Sequence, residues 1–207
     1  MNNKIICNIC NNNTFTFPKF RIGKSLTAYQ GNDDVAPMCK NCESLERHRI
    51  IKKVYFENKK QSTNPLLFSE DPAKEYLPSN TEISIYTPNN NSIDMQDIKR
   101  SNESYDLIFH HHILEHIEND ELAFSELCRI LQKGGQMYWS VPSPTILENT
   151  IIDDPTKNSL QHYRWYGKDF IETVGIWSDK YNVRTKIIYE TDVVTKFTDC
   201  IFITEKI

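Results

Sequence analysis

The stretch that decides the fold is YDLIFHHHILEH, residues 105–116, which is followed by a helical pattern and a second apolar run. Leu107 to Phe109 are apolar with polar neighbours, which is typical of a buried parallel strand. From Asn119 onward, apolar residues recur at helical spacing. Gly134-Gly135 predicts a left-handed cap at the end of that helix, and residues 137–141 predict another strand. Strand, helix and strand form a βαβ unit, so we expect an at least partly parallel sheet.

The same region carries a resemblance to a known family. DLI at 106–108, HILEH at 112–116 and ELCRILQKGG at 126–135 resemble the fourth-motif region of class I S-adenosylmethionine (SAM)-dependent methyltransferases of the type 11-like kind. Lys133 stands where that family usually has proline. The resemblance implies a Rossmann-like α/β sheet and an enzyme that transfers a methyl group from SAM.

Composition and length narrow the class of protein. The 207 residues suffice for one good core and a small appendage, and 39% hydrophobic and 25% charged residues are typical of a globular protein. The net charge of -4 argues against a broad nucleic-acid-binding surface. Since no apolar run approaches the roughly 20 residues that span a bilayer, and the N-terminus lacks a secretion signal, we expect a cytoplasmic protein with reduced thiols and no membrane contact.

Four of the six cysteines form two C-x-x-C pairs, Cys7 with Cys10 and Cys39 with Cys42. Two such pairs predict one tetrahedral zinc ion, and four thiolates leave no open position, so we expect a structural role. The alternative is four unrelated thiols or a redox pair. We expect the two remaining cysteines to be buried structural thiols.

The residues after the second pair, ESLERHR at 43–49, predict a helix with Ser44 as its N-cap. The string C-x-x-C-x-S-L-E-R-H-R resembles a methyltransferase subgroup with an N-terminal zinc knuckle. Arg47 and Arg49 are candidate substrate-binding residues that face the cleft. Alternatively, they pair with nearby acids and join the module to the catalytic domain. We expect a zinc-knuckle module at 1–46, a connecting helix and linker at 47–64 and a methyltransferase-like domain at 65–207.

The first cofactor motif of a methyltransferase is expected after the strand at residues 66–68. No glycine occurs between Gly31 and Gly134, so a glycine-rich dinucleotide fingerprint is absent. Ser69-Glu70-Asp71 resembles a variant of the A-P-E turn of the zinc-knuckle subgroup. The resemblance implies that Ser69, Glu70 and Asp71 contact SAM, with Asp71 or Glu70 facing its ammonium group.

A second strand is expected at residues 82–86, and Thr87 then replaces the acid that usually binds the cofactor ribose. Hydroxyl or amide side chains there could supply ribose hydrogen bonds. Residues 93–98 resemble the adenine segment of the family. That resemblance implies that Asp94 accepts from the adenine amino group and that Met95 packs on the ring. The alternative is an acidic surface turn.

Three histidines follow the strand at the carboxyl edge, where open α/β sheets bind ligands. We expect His110 and His111 to face the cofactor and His111 or His112 to act as a general base. If a helix begins near His112, then His112, Glu115 and His116 share one face and could instead bind a metal. In a third interpretation, Glu115 and His116 fix the loop while only His111 contacts ligand.

Residues 161–170, QHYRWYGKDF, resemble a segment of the same subgroup in which an acid replaces Gln161. A histidine, an arginine and three aromatic rings before a helix are typical of a functional loop. We interpret His162, Arg164 and Tyr166 as substrate-binding, together with Glu115, and His162 also as a candidate for proton transfer. The alternative is a structural plug over the cleft. Residues 182–190 and 198–204 predict a final antiparallel hairpin at one edge of the sheet.

These features predict methyl transfer from SAM to an oxygen or nitrogen of a small-molecule acceptor, such as a sugar or another metabolite. SAM and a structural Zn²⁺ ion are the expected cofactors. One alternative is a non-catalytic binding or regulatory protein that retains the fold, which the missing glycines favour. Another is a zinc-module adaptor for protein or nucleic acid.

Overall fold

A computed structural model describes residues 5–17, 36–85, 92–142 and 144–207. In chain order its elements are β1 (Phe15–Thr16), β2 (Met38–Cys39), α1 (Glu46–Asn58), β3 (Pro65–Phe68), β4 (Glu82–Ser84), β5 (Tyr105–His111), α2 (Asp120–Ile130), β6 (Leu131–Ser140), β7 (Ile151–Ile152), β8 (Arg164–Trp165), α3 (Phe170–Lys180), β9 (Val183–Thr191) and β10 (Thr198–Lys206). Short 3₁₀ helices cover Pro72–Glu75 and Leu114–His116.

The main sheet has six strands in the order β4-β3-β5-β6-β10-β9. Strands β3 to β6 pair in parallel, whereas β10 is antiparallel to both β6 and β9. The expected Rossmann-like α/β fold and the final antiparallel hairpin are therefore confirmed. The chain leaves β3 toward β4 on one side and returns to β5 on the other, which makes the β3–β5 crevice the switch point of the sheet.

Two apolar cores cover the two faces of the sheet. Helices α2 and α3 pack on one face around Phe124, Trp139 and Trp177. Helix α1 packs on the other face, where Ile51 and Val54 join Phe109 of β5 and side chains of β3, β6 and β10. Burial of the apolar side of each helix is the main force that holds these layers together. Because β5 is covered on both faces, Leu107 to His111 form a continuous buried run.

Helix α2 begins where the apolar spacing starts, and the Asn119 side chain caps it by accepting a hydrogen bond from the Leu122 amide at 3.0 Å. The prediction that Gly134-Gly135 caps this helix is wrong. The helix ends at Ile130, and β6 starts at once, with both glycines inside it. Gly134 has φ +74°, and the pairing of β5 with β6 shifts register in this region. The glycines therefore serve an irregularity of the strand rather than a helix end.

None of the described helices is long and apolar enough to cross a membrane.

Within the described residues, two small antiparallel sheets lie outside the main one. Strand β1 pairs with β2 beside the cysteines, and β7 pairs with β8 in the segment before α3.

Candidate functional site

The four expected zinc ligands come together in one cluster. The Sγ atoms of Cys7 and Cys42 lie 3.8 Å apart, and those of Cys10 and Cys39 lie 3.5 Å apart. Sulfurs that bind one zinc ion at about 2.3 Å in a tetrahedron lie about 3.8 Å apart. The spacing therefore fits a tetrahedral four-thiolate site.

The backbone forms two matching turns around these sulfurs. The Asn11 amide donates to the Cys7 carbonyl and the Glu43 amide to the Cys39 carbonyl, each at 2.9 Å. Asn11 and Glu43 both adopt left-handed φ values, 61° and 55°. Each C-x-x-C pair thus ends in the same strained turn, which points both sulfurs of the pair toward one centre.

The sequence predicts Ser44 as the N-cap of the following helix. This prediction is wrong, because the N-cap of α1 is Leu45. The Ser44 hydroxyl is instead buried 3.3 Å from the Cys7 sulfur and 3.2 Å from the Cys42 sulfur. His48 takes over part of the capping, because its Nδ1 accepts from the Leu45 amide at 3.1 Å. Ser44 therefore belongs to the surroundings of the cysteine cluster.

The two arginines of α1 have different surroundings. Arg49 is buried and donates to both carboxylate oxygens of Asp192 and to the backbone carbonyls of Pro37 and Ser44. These contacts are the joining role that the sequence leaves open as the alternative. Arg47 is only partly buried, and its Nε has no partner among the described residues.

The turn after β3 lies at the switch point. Ser69 has a left-handed φ of +75°, and its amide donates to the Ser84 carbonyl of β4 at 2.8 Å. Glu70 is exposed and pairs with Lys74 at 2.9 Å. Asp71 accepts from the Ala73 amide, and burial raises the pKa of its carboxyl to about 6 while the Arg47 charge opposes the rise. Of the two acids, Asp71 is the one turned toward the protein.

Residues 93–98, which the sequence predicts to contact adenine, lie beside the carboxyl end of β4, because the Ile93 amide donates to the Ser84 hydroxyl at 2.9 Å. Asp94 is exposed, and its Oδ1 accepts from the Gln96 amide. Met95 is 2% exposed and belongs to the α2–α3 core. A cavity of about 500 Å³ between β4 and residues 92–100 includes Asp94 in its lining. Thr87 lies outside the described residues.

The three histidines at the end of β5 have different surroundings. His110 is fully buried and stacks on Trp139 with 5.4 Å between ring centroids, and neither ring nitrogen has a partner in the described part of the chain. His111 lies on the opposite face, with Nδ1 3.5 Å from the Ser140 hydroxyl. His112 has a left-handed φ of +51°, which is rare for a histidine and marks the bend out of the strand.

Burial keeps these imidazoles neutral. Burial lowers the pKa of His110 to about 3. The pKa values of His111 and His112 lie well below the ordinary value, mainly through burial and further through neighbouring positive charge that includes Arg47. A neutral imidazole can accept a proton, and the Nε2 atoms of His111 and His112 have no partner among the described atoms.

Residues 162–166 lie against the loop that follows β5. The Tyr163 amide donates to the Glu115 carbonyl at 2.7 Å. Arg164 is buried and donates to three carbonyls of this loop, those of Leu114, Ile117 and Glu118. Tyr166 is 1% exposed, and its hydroxyl donates to Asp120 at 2.9 Å. Arg164 and Tyr166 thus hold the wall of the cleft in place.

This contact brings Glu115, His116 and His162 together, with one donor atom from each within 4.8 Å of the others. No regular helix begins at His112; the loop forms one 3₁₀ turn, Leu114–His116. The set that the structure assembles therefore contains His162 in place of His112. Burial raises the pKa of Glu115 to about 8 and lowers the pKa of His162 to about 4.

Nine buried side-chain polar atoms have no partner among the described residues, and seven of them belong to residues that the sequence singles out as candidates for the site. They come from Arg47, His110, His111, His112, Glu115 and His162. The other two belong to Glu46 and Tyr76, which sequence reasoning missed. Glu46 lies inside the recognised S-L-E-R-H-R string, whereas no local pattern marks Tyr76. Unpaired polar atoms are costly in a protein interior, so their concentration here indicates a place for a ligand.

Comparison with known proteins finds similarity over part of the chain. Residues 73–139, about a third of the chain, match a family model described as a methyltransferase domain. The match spans the turn after Asp71, strands β4 and β5 and most of β6. A search of curated proteins found no match.

Several solved structures share the fold of this chain at low sequence identity. YcgJ from Bacillus subtilis is 9% identical with a TM-score of 0.53, over 77% of this chain and 99% of that chain. Phosphoethanolamine N-methyltransferase 2 from Haemonchus contortus, in complex with phosphomonomethylethanolamine and S-adenosylhomocysteine, is 11% identical with a TM-score of 0.53. The alignment covers 78% of this chain and 52% of that one, so the chain spans about half the length of the Haemonchus enzyme.

A third structure is the N-methyltransferase NodS from Bradyrhizobium japonicum in complex with S-adenosylhomocysteine. It is 12% identical with a TM-score of 0.50, over 78% of this chain and 86% of that chain. The family match thus covers about a third of the chain, and the three solved structures, each under 25% identical, share its fold.

Proposed function

We propose that this protein transfers a methyl group from SAM to an oxygen or nitrogen atom of a small polar acceptor, such as a sugar or another metabolite. The observation that carries the proposal is the group of buried polar atoms that have no partner in the described part of the chain, several of which belong to histidines at the carboxyl end of β5, beside the switch point. Ligands of α/β sheets bind at this edge, and the atoms there offer both donors and acceptors to a polar guest.

In the proposed complex, the turn of Ser69, Glu70 and Asp71 holds the methionine end of SAM, with Asp71 facing its ammonium group. Asp94 receives the adenine amino group from the side of the β4 cavity. His110 and His111 form the floor beside the methyl group. Thr87 is the candidate for a ribose contact.

The acceptor lies on the side of Arg47, Glu115 and His162. Its lone pair attacks the methyl carbon in line with the carbon–sulfur bond, and the sulfur leaves with the bonding electrons as S-adenosylhomocysteine. His111 or His112 accepts the proton that the acceptor loses. Most of the rate enhancement comes from holding the acceptor and the methyl group in the reacting geometry. Arg49, Arg164 and Tyr166 contribute to this by fixing helix α1 and the loop after β5.

We propose a structural Zn²⁺ ion for the cysteine cluster, bound by Cys7, Cys10, Cys39 and Cys42. The matched turns and the sulfur spacing support it. With all four positions filled by thiolates, such an ion would stabilise the module and take no part in the chemistry.

A specific observation favours a second candidate, a non-catalytic protein with the same fold. Glu70 pairs with a lysine, Asp71 caps its own turn, and Met95 lies inside the core. Several residues that SAM would use therefore already have protein partners.

Calorimetry with SAM and S-adenosylhomocysteine on the zinc-loaded chain separates the two. We expect both to bind at sub-millimolar concentration. Failure of both to bind would overturn the methyl-transfer proposal and leave the non-catalytic one. If they bind, a screen of sugars, nucleotides and peptides with labelled SAM identifies the acceptor, and labelled product from a sugar or similar metabolite is the expected outcome.

A further inference from the structure

The loop after β5 holds a second cluster of metal-binding side chains, separate from the cysteines. Glu115, His116 and His162 each offer one donor atom, and these atoms lie within 4.8 Å of one another. The Glu115 carboxylate is the innermost, with its side chain 1% exposed, whereas the His116 side chain is 43% exposed. The cluster thus has a buried carboxylate and one imidazole at the surface.

Two of these side chains lack the partners that buried polar groups normally have. Oε2 of Glu115 and Nδ1 of His162 have no hydrogen-bond partner within the described ranges. The other carboxylate oxygen, Oε1, lies 3.9 Å from His116 Nε2, which is too far for a hydrogen bond. A buried carboxylate left in this state is costly unless a cation or a proton joins it.

The surrounding backbone holds the three side chains in position. The Tyr163 amide donates a hydrogen bond to the Glu115 carbonyl, and the Arg164 side chain donates hydrogen bonds to three carbonyls of the same loop. The His116 ring lies next to the backbone of Gln161 and packs edge-on against the His162 ring, with 4.6 Å between the ring centroids.

The residue before His162 is under backbone strain. Gln161 has a left-handed φ of +56°, and the ring of His162 packs between His116 and Trp165 at centroid distances of 4.6 and 4.3 Å. Strain of this kind persists where the surroundings fix it, often at functional sites. Here it turns His162 toward the carboxylate.

Two imidazoles and one carboxylate form a donor set typical of zinc or non-haem iron, and three protein ligands leave positions open for a further ligand. Donor atoms around such an ion lie about 3 to 3.5 Å apart, so the side chains must close by about 1 Å on binding. His116 is free at the surface to make that movement.

We infer that Glu115, His116 and His162 bind one divalent transition-metal ion whose open positions take an oxygen atom of the acceptor. The metal site stands on the geometry alone, whereas the acceptor contact rests on the proposed methyl transfer. An acceptor with a hydroxyl or carboxylate oxygen is the chemical class that such an ion would select.

The test is a spectroscopic titration of the zinc-loaded protein with Co²⁺. We expect one Co²⁺ per chain, with the visible bands of nitrogen and oxygen ligation and without a thiolate-to-cobalt band. Added azide, as a probe of the open positions, should change the visible bands. No binding at millimolar Co²⁺ would overturn the metal site, and bands that azide leaves unchanged would overturn the open position.

Four variants locate the ion. Glu115→Gln, His116→Gln and His162→Gln should each weaken Co²⁺ binding by about tenfold or more, and His112→Gln should leave it within about twofold. His116 is exposed, so its variant gives an answer even if the buried ones fold poorly. Equal losses in His112→Gln and His116→Gln would overturn this ligand set. Binding of S-adenosylhomocysteine is measured in the same samples by calorimetry. If the protein binds Co²⁺ but does not bind S-adenosylhomocysteine, the proposed function is refuted and the metal site is retained.

Discussion

Arg49 and Asp192 form a buried bidentate ion pair, with Nε to Oδ1 and Nη2 to Oδ2 distances of 2.8 Å each. The two side chains are 1% and 0% exposed. Arg49 lies on α1, directly after the second cysteine pair, and Asp192 lies in the turn between β9 and β10. Asp192 also accepts from the amides of Val194 and Thr195. The pair therefore ties the start of the chain to its C-terminal hairpin.

Asp192→Asn should lower the free energy of unfolding by about 3–5 kcal/mol, because it leaves the Arg49 charge buried without its counterion. Urea unfolding of both proteins measures the difference. The matched control is Lys157→Gln, which removes an exposed pair with Asp154 and should cost less than about 1 kcal/mol. Equal effects of the two changes would refute a structural role for the buried pair.

Cys42→Ser should reduce the zinc content from one ion per chain to nearly none, since three thiolates and a hydroxyl bind zinc poorly. Metal analysis of reduced protein, purified without chelator, measures this. Cys128→Ser is the control, because Cys128 lies in the α2–α3 core and should leave the zinc content unchanged. Far less than one zinc ion in the unmodified protein would contradict the zinc proposal.

Asp71→Asn should weaken SAM binding by about tenfold or more, because a charged hydrogen bond to the ammonium group is lost. Asparagine caps a turn as well as aspartate does, so the local fold should persist. Glu70→Gln is the matched control, since Glu70 is exposed and pairs with Lys74. Calorimetry measures the SAM affinity of both variants. A larger loss of affinity in Glu70→Gln would mean that Glu70, and not Asp71, faces the ammonium group.

The same assignment has a pH dependence. Burial raises the pKa of Asp71 to about 6, and only the ionised carboxylate pairs with an ammonium group. SAM affinity should therefore fall as the pH decreases through 6, and it should fall less in Asp71→Asn. Parallel pH profiles of the two proteins would show that another group is responsible.

Asp199→Asn should stabilise the protein at pH 8 and have little effect near pH 4. Burial raises the pKa of Asp199 to about 7, with Glu46 raising it further and Arg47 opposing. The folded state thus binds the proton more tightly than the unfolded state does, and stability is lost as the pH rises from about 4 to 7. We expect a gain of about 2–4 kcal/mol at pH 8, measured by urea unfolding. The control is Asp179→Asn, which makes the same substitution at an exposed position of α3.

Replacing Gly167 or Gly175 by alanine should change the stability of the fold in opposite directions. A Cβ on Gly167 would lie 2.3 Å from the carbonyl carbon of Asn149, whereas a Cβ on Gly175 in α3 would meet no atom within 4 Å. Gly167→Ala should therefore destabilise the fold by about 1–3 kcal/mol, and Gly175→Ala should stabilise it by about 0.5–1 kcal/mol. Thermal unfolding measures both. A stable Gly167→Ala variant would mean that the 149–150 backbone can move away.

The sequence predicts the elements that local pattern controls. The strand around Leu107–Phe109, the helix from Asn119 onward and the C-terminal hairpin follow from apolar spacing, and all three are present. Gly134 was misplaced because a left-handed glycine serves a strand irregularity as well as a helix end. Local spacing alone cannot separate those two uses.

Contacts between residues that are far apart in the sequence were harder to predict than helices and strands. The sequence offered two roles for Arg49, and the partner that it has in the structure, Asp192, lies 143 residues away. Likewise, one interpretation of the sequence grouped Glu115 and His116 with His112, on the condition that a helix begins near His112. His162 takes that place because Arg164 binds carbonyls of the loop after β5, which no periodicity could indicate.

Helix α1 connects two places that are otherwise unrelated. At its start it continues from the cysteine turns, at Arg49 it is fixed to the hairpin, and between them Arg47 supplies positive charge to His111, His112 and Asp71. Arg47 is the second residue of the helix and follows Cys42 by five residues, so a displacement of the cysteine turns also displaces the Arg47 charge. The electrostatic potential of the cleft, and hence its attraction for anions, therefore depends on whether the four sulfur atoms just before the helix remain gathered.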